Sequence, residues 1–237
     1  MELYAIRYGE NFKYATYGTI YRGAENAAEK VSGFIFVYYL AKYNDKVMLF
    51  DTGFRDETTA VNMGITLLDV EHEVKNILDD PLGIDMIFIT HSHFDHIDNL
   101  DLYKNSQIII AKTEYDIAMN ERPIPVQTQL RSKHPVLIED EYVFDNKFYF
   151  KVIGGHTPGS SVIYFEEKDK NYVITGDECY VCDNMLKNIP NGMCTDYLKN
   201  EEFIADGHNK GLIPLPYHDN KVFADYEQIS ENIVRII

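Results

Sequence analysis

The run MIFIT, Met86 to Thr90, is apolar and of strand length, and the chain leaves it directly into HSHFDHIDNL. A short apolar run bounded by turn residues reads as a buried strand, so its end lies at the margin of a core. Three histidines and an aspartate follow there within six positions: His91, His93, Asp95 and His96. In an extended loop alternate side chains face the same way. His91 and His93 then present nitrogens to one point, while Asp95 and His96 turn towards a second point nearby. That suits two adjacent metal ions, since imidazole and carboxylate ligands accept divalent zinc, iron, manganese or cobalt.

Further ligand types stand at the ends of other strand-like runs. GGHTPGSS sets His156 between glycines that let the backbone approach closely, ITGD ends on Asp177, whose two oxygens can bridge two cations, and IPLPYHD carries His218. The remaining histidines, His72, His134 and His208, read as ordinary surface or packing residues. Strands are expected at GFIFVYYLAKY and KVMLFDTG, joined by a hairpin at Asn44 and Asp45, and at QIIIA, KFYFKVIG, SVIYFEE and NYVITGD. Helical spacing marks EHEVKNILDD and TEYDIAM. The closing segment VFADYEQISENIVRII reads as an amphipathic helix with Val222, Tyr226, Ile229, Ile233 and Ile236 on one face. Alternation of strands and helices gives an α/β or α+β class, and the absence of a linker or repeat gives one domain over 1–237.

Charge narrows the partners. With 22 basic and 38 acidic residues the formal charge is −16. This argues against nucleic acid, whose binding draws on Lys and Arg at phosphates. No apolar run approaches membrane-spanning length, and MELYAIRYGENF lacks the order of a signal peptide, so a cytoplasmic protein without membrane contact is expected. Oligomeric state is not legible. Cys179, Cys182 and Cys194 are too few for a disulfide framework. The CxxC at Cys179 and Cys182 lacks the second ligand pair of a structural zinc site and reads as two unremarkable thiols, with a disulfide that shifts Tyr180 as the minor alternative.

Together, DTG at Asp51 to Gly53, HxHxDH at His91 to His96, GHTPG at Gly155 to Gly159, GD at Gly176 and Asp177, and the late His218 resemble the metallo-β-lactamase superfamily over roughly residues 33 to 219. The resemblance implies a four-layer αββα sandwich of the α+β class with two divalent metal ions, zinc foremost, at one edge of its sheets. It implies His91, His93 and His156 on one metal, Asp95, His96 and His218 on the other, Asp177 between them, and Asp51 orienting a ligand histidine. HFDH, AKTEYDIAM at Ala111 to Met119, DECYVCDNM at Asp177 to Met185, and PYHDN resemble more closely the N-acyl homoserine lactonases, the quorum-quenching branch. That similarity implies a small lactone or ester substrate, a role for Tyr180 at its carbonyl, attack by a metal-bridging hydroxide, and a proton delivered by Asp95 to the departing alkoxide. Ile97, Asp98 and Asn99 depart from the small glycine-rich continuation usual there and would add bulk and charge near the site. Pocket walls are expected from residues 11 to 32 and 120 to 133. The competing readings are a glyoxalase II type thioester hydrolase, a phosphodiesterase on the same fold, and a non-catalytic metal-binding or redox-sensing module; His93 stands where a diiron oxygen-reducing protein would carry glutamate.

Overall fold

The computed structural model describes residues 1–237. Its first strands are β1 (Glu2–Glu10), β2 (Ile35–Tyr43), β3 (Lys46–Phe50), β4 (Thr66–Leu67), β5 (Met86–Ile89), β6 (Gln107–Ala111) and β7 (Val136–Ile138). There follow β8 (Glu141–Phe144), β9 (Phe148–Val152), β10 (Ser161–Glu167), β11 (Lys170–Ile174), β12 (Ile213–Leu215), β13 (Glu227–Ser230) and β14 (Ile233–Arg235). One sheet has the order β13-β14-β1-β2-β3-β5-β6-β7, with β4 on β1, and the other the order β12-β11-β10-β9-β8. The hairpin at Asn44 and Asp45 is present, with Tyr43 opposite Lys46.

Period-two alternation builds the layers. Along β5, Met86 and Phe88 enter the core between the sheets, while Ile87 and Ile89 enter the core beneath the helices of the larger sheet. The same split runs along β2, where Ile35, Val37 and Tyr39 face inwards and Phe36, Tyr38 and Leu40 face the helices. From the smaller sheet Phe148, Phe150, Ile163 and Ile174 fill the inner layer. Its outer face buries Val162 and Val173 against Phe203 and Ile204 of the helix Tyr197–Lys210. Asp196 caps that helix through the amides of Leu198 and Lys199, and Gly211 ends it in a left-handed conformation. Three apolar seams between four layers make the αββα sandwich that the motifs imply. No helix is long and apolar enough to cross a membrane.

Two local expectations need correction. The helix in EHEVKNILDD covers only Glu71–Lys75. The closing amphipathic helix stops at Asp225, after Lys221–Asp225, and the rest of the segment forms the β13–β14 hairpin. Tertiary pairing decides the matter: β14 lies antiparallel against β1, a strand the sequence reading left unassigned, with Ala5 opposite Val234. Ile233 and Val234 consequently point to opposite faces of the sheet and enter different cores. The Arg7 side chain donates to Asn232 Oδ1 at 2.8 and 3.0 Å and fixes the turn.

Phe88 is fully buried between the sheets and stacks on Phe50 at 5.4 Å. Phe88→Ala is expected to cost about 3–5 kcal/mol, because the rigid sheets cannot collapse into the void. Urea unfolding of the two proteins checks this.

Candidate metal centre

Four of the strands deliver the site. Asp51 follows β3, His91 lies two residues beyond β5, and Asp177 and His218 each lie three residues beyond β11 and β12. β3 and β5 are parallel, as are β11 and β12, so carboxyl ends from both sheets open on one edge of the sandwich. His156 is set in the turn between β9 and β10.

The seven ligand candidates gather into two adjoining groups. His91, His93, His156 and Asp177 form one, and Asp95, His96 and His218 the other, with the ligand atoms of each within 4.8 Å of one another. Asp177 spans both. Its Oδ2 is 3.8 Å from His91 Nε2 and 3.5 Å from His156 Nε2, and its Oδ1 is 3.3 Å from His96 Nε2 and 3.2 Å from His218 Nε2. Asp95 Oδ2 faces the second group, 3.6 Å from His96 Nε2 and 3.7 Å from His218 Nε2. The divergence of Asp95 and His96 from His91 and His93 does not come from extended alternation. Backbone bonds from His96 and Ile97 to the His93 carbonyl open a helical turn, Phe94–Ile97, and that turn carries them to the second group.

Hydrogen bonds on the outer ring nitrogens decide which nitrogen points inward. His96 Nδ1 donates to Asp51 Oδ2 at 2.8 Å, His218 Nδ1 to the Ile35 carbonyl at 2.9 Å, and His156 Nδ1 to the Met193 carbonyl at 3.1 Å. Asp51 also accepts from the Thr90 amide and hydroxyl at 2.7 and 2.6 Å, and Thr90 Oγ1 faces His91 Nδ1 at 3.2 Å. One carboxylate thus orients a histidine of each group, and Asp51 stands where the motif expectation put it. The inward atoms fit cations. His91 Nε2 and His156 Nε2 both converge on His93 Nδ1, at 3.0 and 3.1 Å, although a single imidazole nitrogen can donate to only one of them. His96 Nε2 and Asp177 Oδ1 are buried with no hydrogen-bond partner. Burial lowers His91 well below its ordinary value, and burial with His156 brings His93 down to about 4. Both imidazoles are therefore neutral near pH 7, the form that binds a metal.

Sequence reasoning missed the acids behind the ligands. Glu114 is fully buried on the helix Lys112–Glu121 and accepts from the Ser92 amide and hydroxyl, both at 2.7 Å, from Thr157 Oγ1 at 2.6 Å and from the Gly159 amide at 3.0 Å. It ties the HxHxDH loop to the GHTPG loop. Glu178 accepts from the amides of Gly155 and His156 at 3.0 and 2.9 Å, from Asn200 at 2.7 Å, and from the Ser160 hydroxyl. A Cβ on Gly155 would lie 2.5 Å from Glu178 Oε2, so the close approach requires glycine. Tyr8 on β1 donates to the Asp95 carbonyl at 2.6 Å. The helix expected at TEYDIAM contains Glu114, but nothing in the local sequence marks that glutamate as buried.

A cavity of about 330 Å³ opens over the two groups, with Phe12, Tyr14, Phe34, Phe36, Phe94 and Met193 in its wall and His93, Asp95, Asp177, Tyr180 and His218 also lining it. Residues from 11 to 32 contribute as expected. Residues 120 to 133 do not, because the helix Ile124–Lys133 packs Val126 and Leu130 into the core under the larger sheet. Nor do Ile97, Asp98 and Asn99 crowd the site: Ile97 is core, Asp98 lies beside Arg122, and Asn99 bonds Arg55 and the Thr52 carbonyl. Tyr180 is nine-tenths buried between His156 and His218, and burial followed by Asp177 and Asp95 lifts its phenol well above the ordinary value. It keeps its proton and remains a donor. Cys179 and Cys182 are buried free thiols raised by burial, and His72, His134 and His208 lie exposed outside the centre.

This constellation at the edge of an αββα sandwich is suited to holding two metal ions. Residues 32–221 match the metallo-β-lactamase superfamily, to which the chain belongs. The N-acyl homoserine lactonase AiiA of Bacillus thuringiensis subsp. kurstaki is 25% identical over 168 residues, covering 64% of this chain and 67% of the relative. A probable metallo-hydrolase of Methanocaldococcus jannaschii is 28% identical over 144 residues, covering 60% of this chain and 56% of the relative. The solved structure of an N-acyl homoserine lactone hydrolase, with N-hexanoyl-L-homoserine bound at its catalytic metal centre, superimposes with a TM-score of 0.78 at 20% identity over 96% of this chain and 97% of its own. The dizinc lactonase AidC does so at 0.69 and 16% identity, over 99% and 93%.

Two substitutions test the support of the centre. Asp51→Asn is expected to weaken binding of the second of two zinc equivalents by about 10- to 100-fold, the usual loss when a ligand histidine loses its orienting carboxylate; isothermal titration measures it. Glu114→Gln exchanges one accepting oxygen for a donor and is expected to cost about 2–3 kcal/mol of stability. Thermal unfolding in chelator isolates that cost from metal binding.

Proposed function

We propose that residues 1–237 act as one hydrolase domain that opens a lactone, of N-acyl homoserine lactone type, or a related ester. The observation that carries this reading is the cavity: a largely apolar, aromatic wall sized for an acyl chain that closes on the titratable cluster of His93, Asp95, Asp177 and His218, with Tyr180 beside it. Similarity to the AiiA lactonase supports the same substrate class. The lining contains no Lys or Arg, which disfavours the phosphodiester and the anionic thioester that the other readings require. Burial of the CxxC thiols as protonated groups likewise removes support from a redox-sensing module.

Two divalent cations, zinc foremost, would be held by His91, His93 and His156 and by Asp95, His96 and His218, with Asp177 shared; bound there, they supply Lewis acidity and an activated water. Phe12, Phe34, Phe36 and Met193 hold the acyl group and exclude bulk water. Tyr180, protonated and unpaired with other side chains, donates to the carbonyl oxygen as negative charge develops on it. Asp95, at the floor of the cavity, would take the proton given up by the attacking water and pass it to the departing alkoxide oxygen, so that the ring C–O bond breaks to an alcohol and the new carboxylic acid releases its own proton to solvent.

Proton release from N-hexanoyl and N-decanoyl homoserine lactones, followed with a pH indicator on protein loaded with two equivalents of zinc, tests the reading. Turnover is expected, with loss in His93→Ala and a fall in kcat of about 10²-fold for Tyr180→Phe, the scale of one oxyanion donor. Asp95→Asn should lower kcat far more than it raises KM. Activity on a thioester or phosphodiester alone would discard the lactonase and keep the hydrolase.

A further inference from the structure

A second cavity, of about 480 Å³, lies on the helix-covered side of the larger sheet, away from the metal-ligand cluster. Its volume is that of a small-molecule site, which typically occupies roughly 300–1,000 Å³. Leu67, Leu68, Val74, Phe54 and Leu102 give it an apolar wall. Of the other polar groups in the lining, Thr52 bonds the His96 carbonyl, Asn99 bonds the Thr52 carbonyl and Asp80 is exposed at the rim, which leaves two phenols within the wall. Tyr38 and Tyr103 are 9% and 7% exposed, and neither hydroxyl has a hydrogen-bond partner in the protein. Both rings are largely buried while their hydroxyls stay open to the cavity, whereas Tyr8 in the same wall is committed to the Asp95 carbonyl. The cations at the rim are already neutralised, Arg55 by Asp101 at 2.8 and 2.9 Å and Lys75 by Glu71 at 2.6 Å. The cavity therefore offers hydrogen-bond donors and apolar surface but no free positive charge.

From this we infer that the cavity is a second ligand site, for an uncharged lipophilic compound whose carbonyl oxygen accepts from Tyr38 and Tyr103. It is separate from the cavity over the ligand cluster but shares a double aromatic wall with it. Phe54 on this side meets Phe94 on the other at 4.8 Å, edge to face, and Tyr8 meets Phe36 at 6.1 Å. Tyr8 and Thr52, which line the second cavity, also hold the carbonyls of Asp95 and His96, so an occupant stands one side chain from the metal-bearing loop. The inference does not depend on the lactonase reading, since none of the seven ligand candidates lines this cavity.

The neutral fluorescent ketone 6-propionyl-2-dimethylaminonaphthalene tests it, titrated into the zinc-loaded protein and read by its emission maximum. Saturable one-to-one binding with a blue shift is expected. Leu68→Trp, which fills the cavity, should weaken binding by at least about tenfold, and Tyr38→Phe combined with Tyr103→Phe by about three- to tenfold through loss of the donors. Met63→Trp, which fills only the cavity over the ligand cluster, should leave affinity unchanged. Absence of saturable binding, or binding that Met63→Trp removes and Leu68→Trp spares, would overturn the assignment. Circular dichroism checks that each variant folds; should Leu68→Trp fail, the double tyrosine variant, which removes only two oxygen atoms, decides alone.

Discussion

Backbone amides and hydroxyls of the ligand-bearing loops end on three fully buried carboxylates, Asp51, Glu114 and Glu178, and the geometry of the centre follows from that. Loops at strand ends lack ladder partners, so their amides must be satisfied in some other way or cost stability. Here one carboxyl side chain accepts several donors at once: Asp51 takes the Thr90 amide and hydroxyl, Glu114 the amides of Ser92 and Gly159, and Glu178 those of Gly155 and His156. Removing one acid would leave several buried donors unpaired, whereas removing one donor would lose a single bond. Control of the loops is therefore concentrated in a few acids that touch none of the inward-pointing ligand atoms, Asp51 reaching only the outer nitrogen of His96.

The sandwich makes that concentration possible. Glu114 reaches both histidine loops because its helix leaves β6 at the same edge where β5 delivers His91, and Glu178 sits immediately past Asp177 at the end of β11. Parallel pairing of β3 with β5 and of β11 with β12 puts the required loops at one edge without strain in the strands. What remains strained is electrostatic. Burial disfavours His96 in its charged form, but Asp177, Asp95 and Asp51 outweigh it and raise its pKa well above the ordinary value. A cation at that position would perform the same neutralisation and would also satisfy the orphaned His96 Nε2 and Asp177 Oδ1. Folding and metal binding would in that case be linked through the same few atoms.

Legibility in the sequence followed the range of the interactions. The clustering of the seven ligand candidates was readable because rare residue types fell at the ends of short apolar runs, a pattern set by local chain geometry. The strands β2, β3, β5, β6 and β10 were readable because both their faces are buried or alternate cleanly. Tyr8 was not, since its partner Asp95 lies 87 positions away and nothing near MELYAIRYGENF announces the contact. Glu114 looks like any exposed helix glutamate until the turn at Thr157 to Gly159 is brought over it. The C-terminal segment failed for the same reason. Its apolar residues satisfy helical spacing, yet β1 offers a free edge, and pairing with it places Ile233 and Val234 in two separate cores that a single helical face could not reach.

Net charge is a weaker guide to the substrate than the wall of the cavity. The chain carries −16 overall, which repels polyanions at long range. Beyond a Debye length of about 8 Å in physiological salt that repulsion is largely screened, so it does not determine what binds inside the edge cleft. Within the cleft the fixed charges are those of Asp95 and Asp177, with Asp51 just behind, and no Lys or Arg lines the cavity. Two divalent cations would outweigh these three carboxylates and leave a modest local excess of positive charge. Such a site would stabilise one developing negative charge on a neutral substrate, and it lacks the basic side chains that would hold a ligand already carrying several. On the proposed reading the aromatic wall would then determine which neutral substrates enter, because apolar surface is what most of it presents.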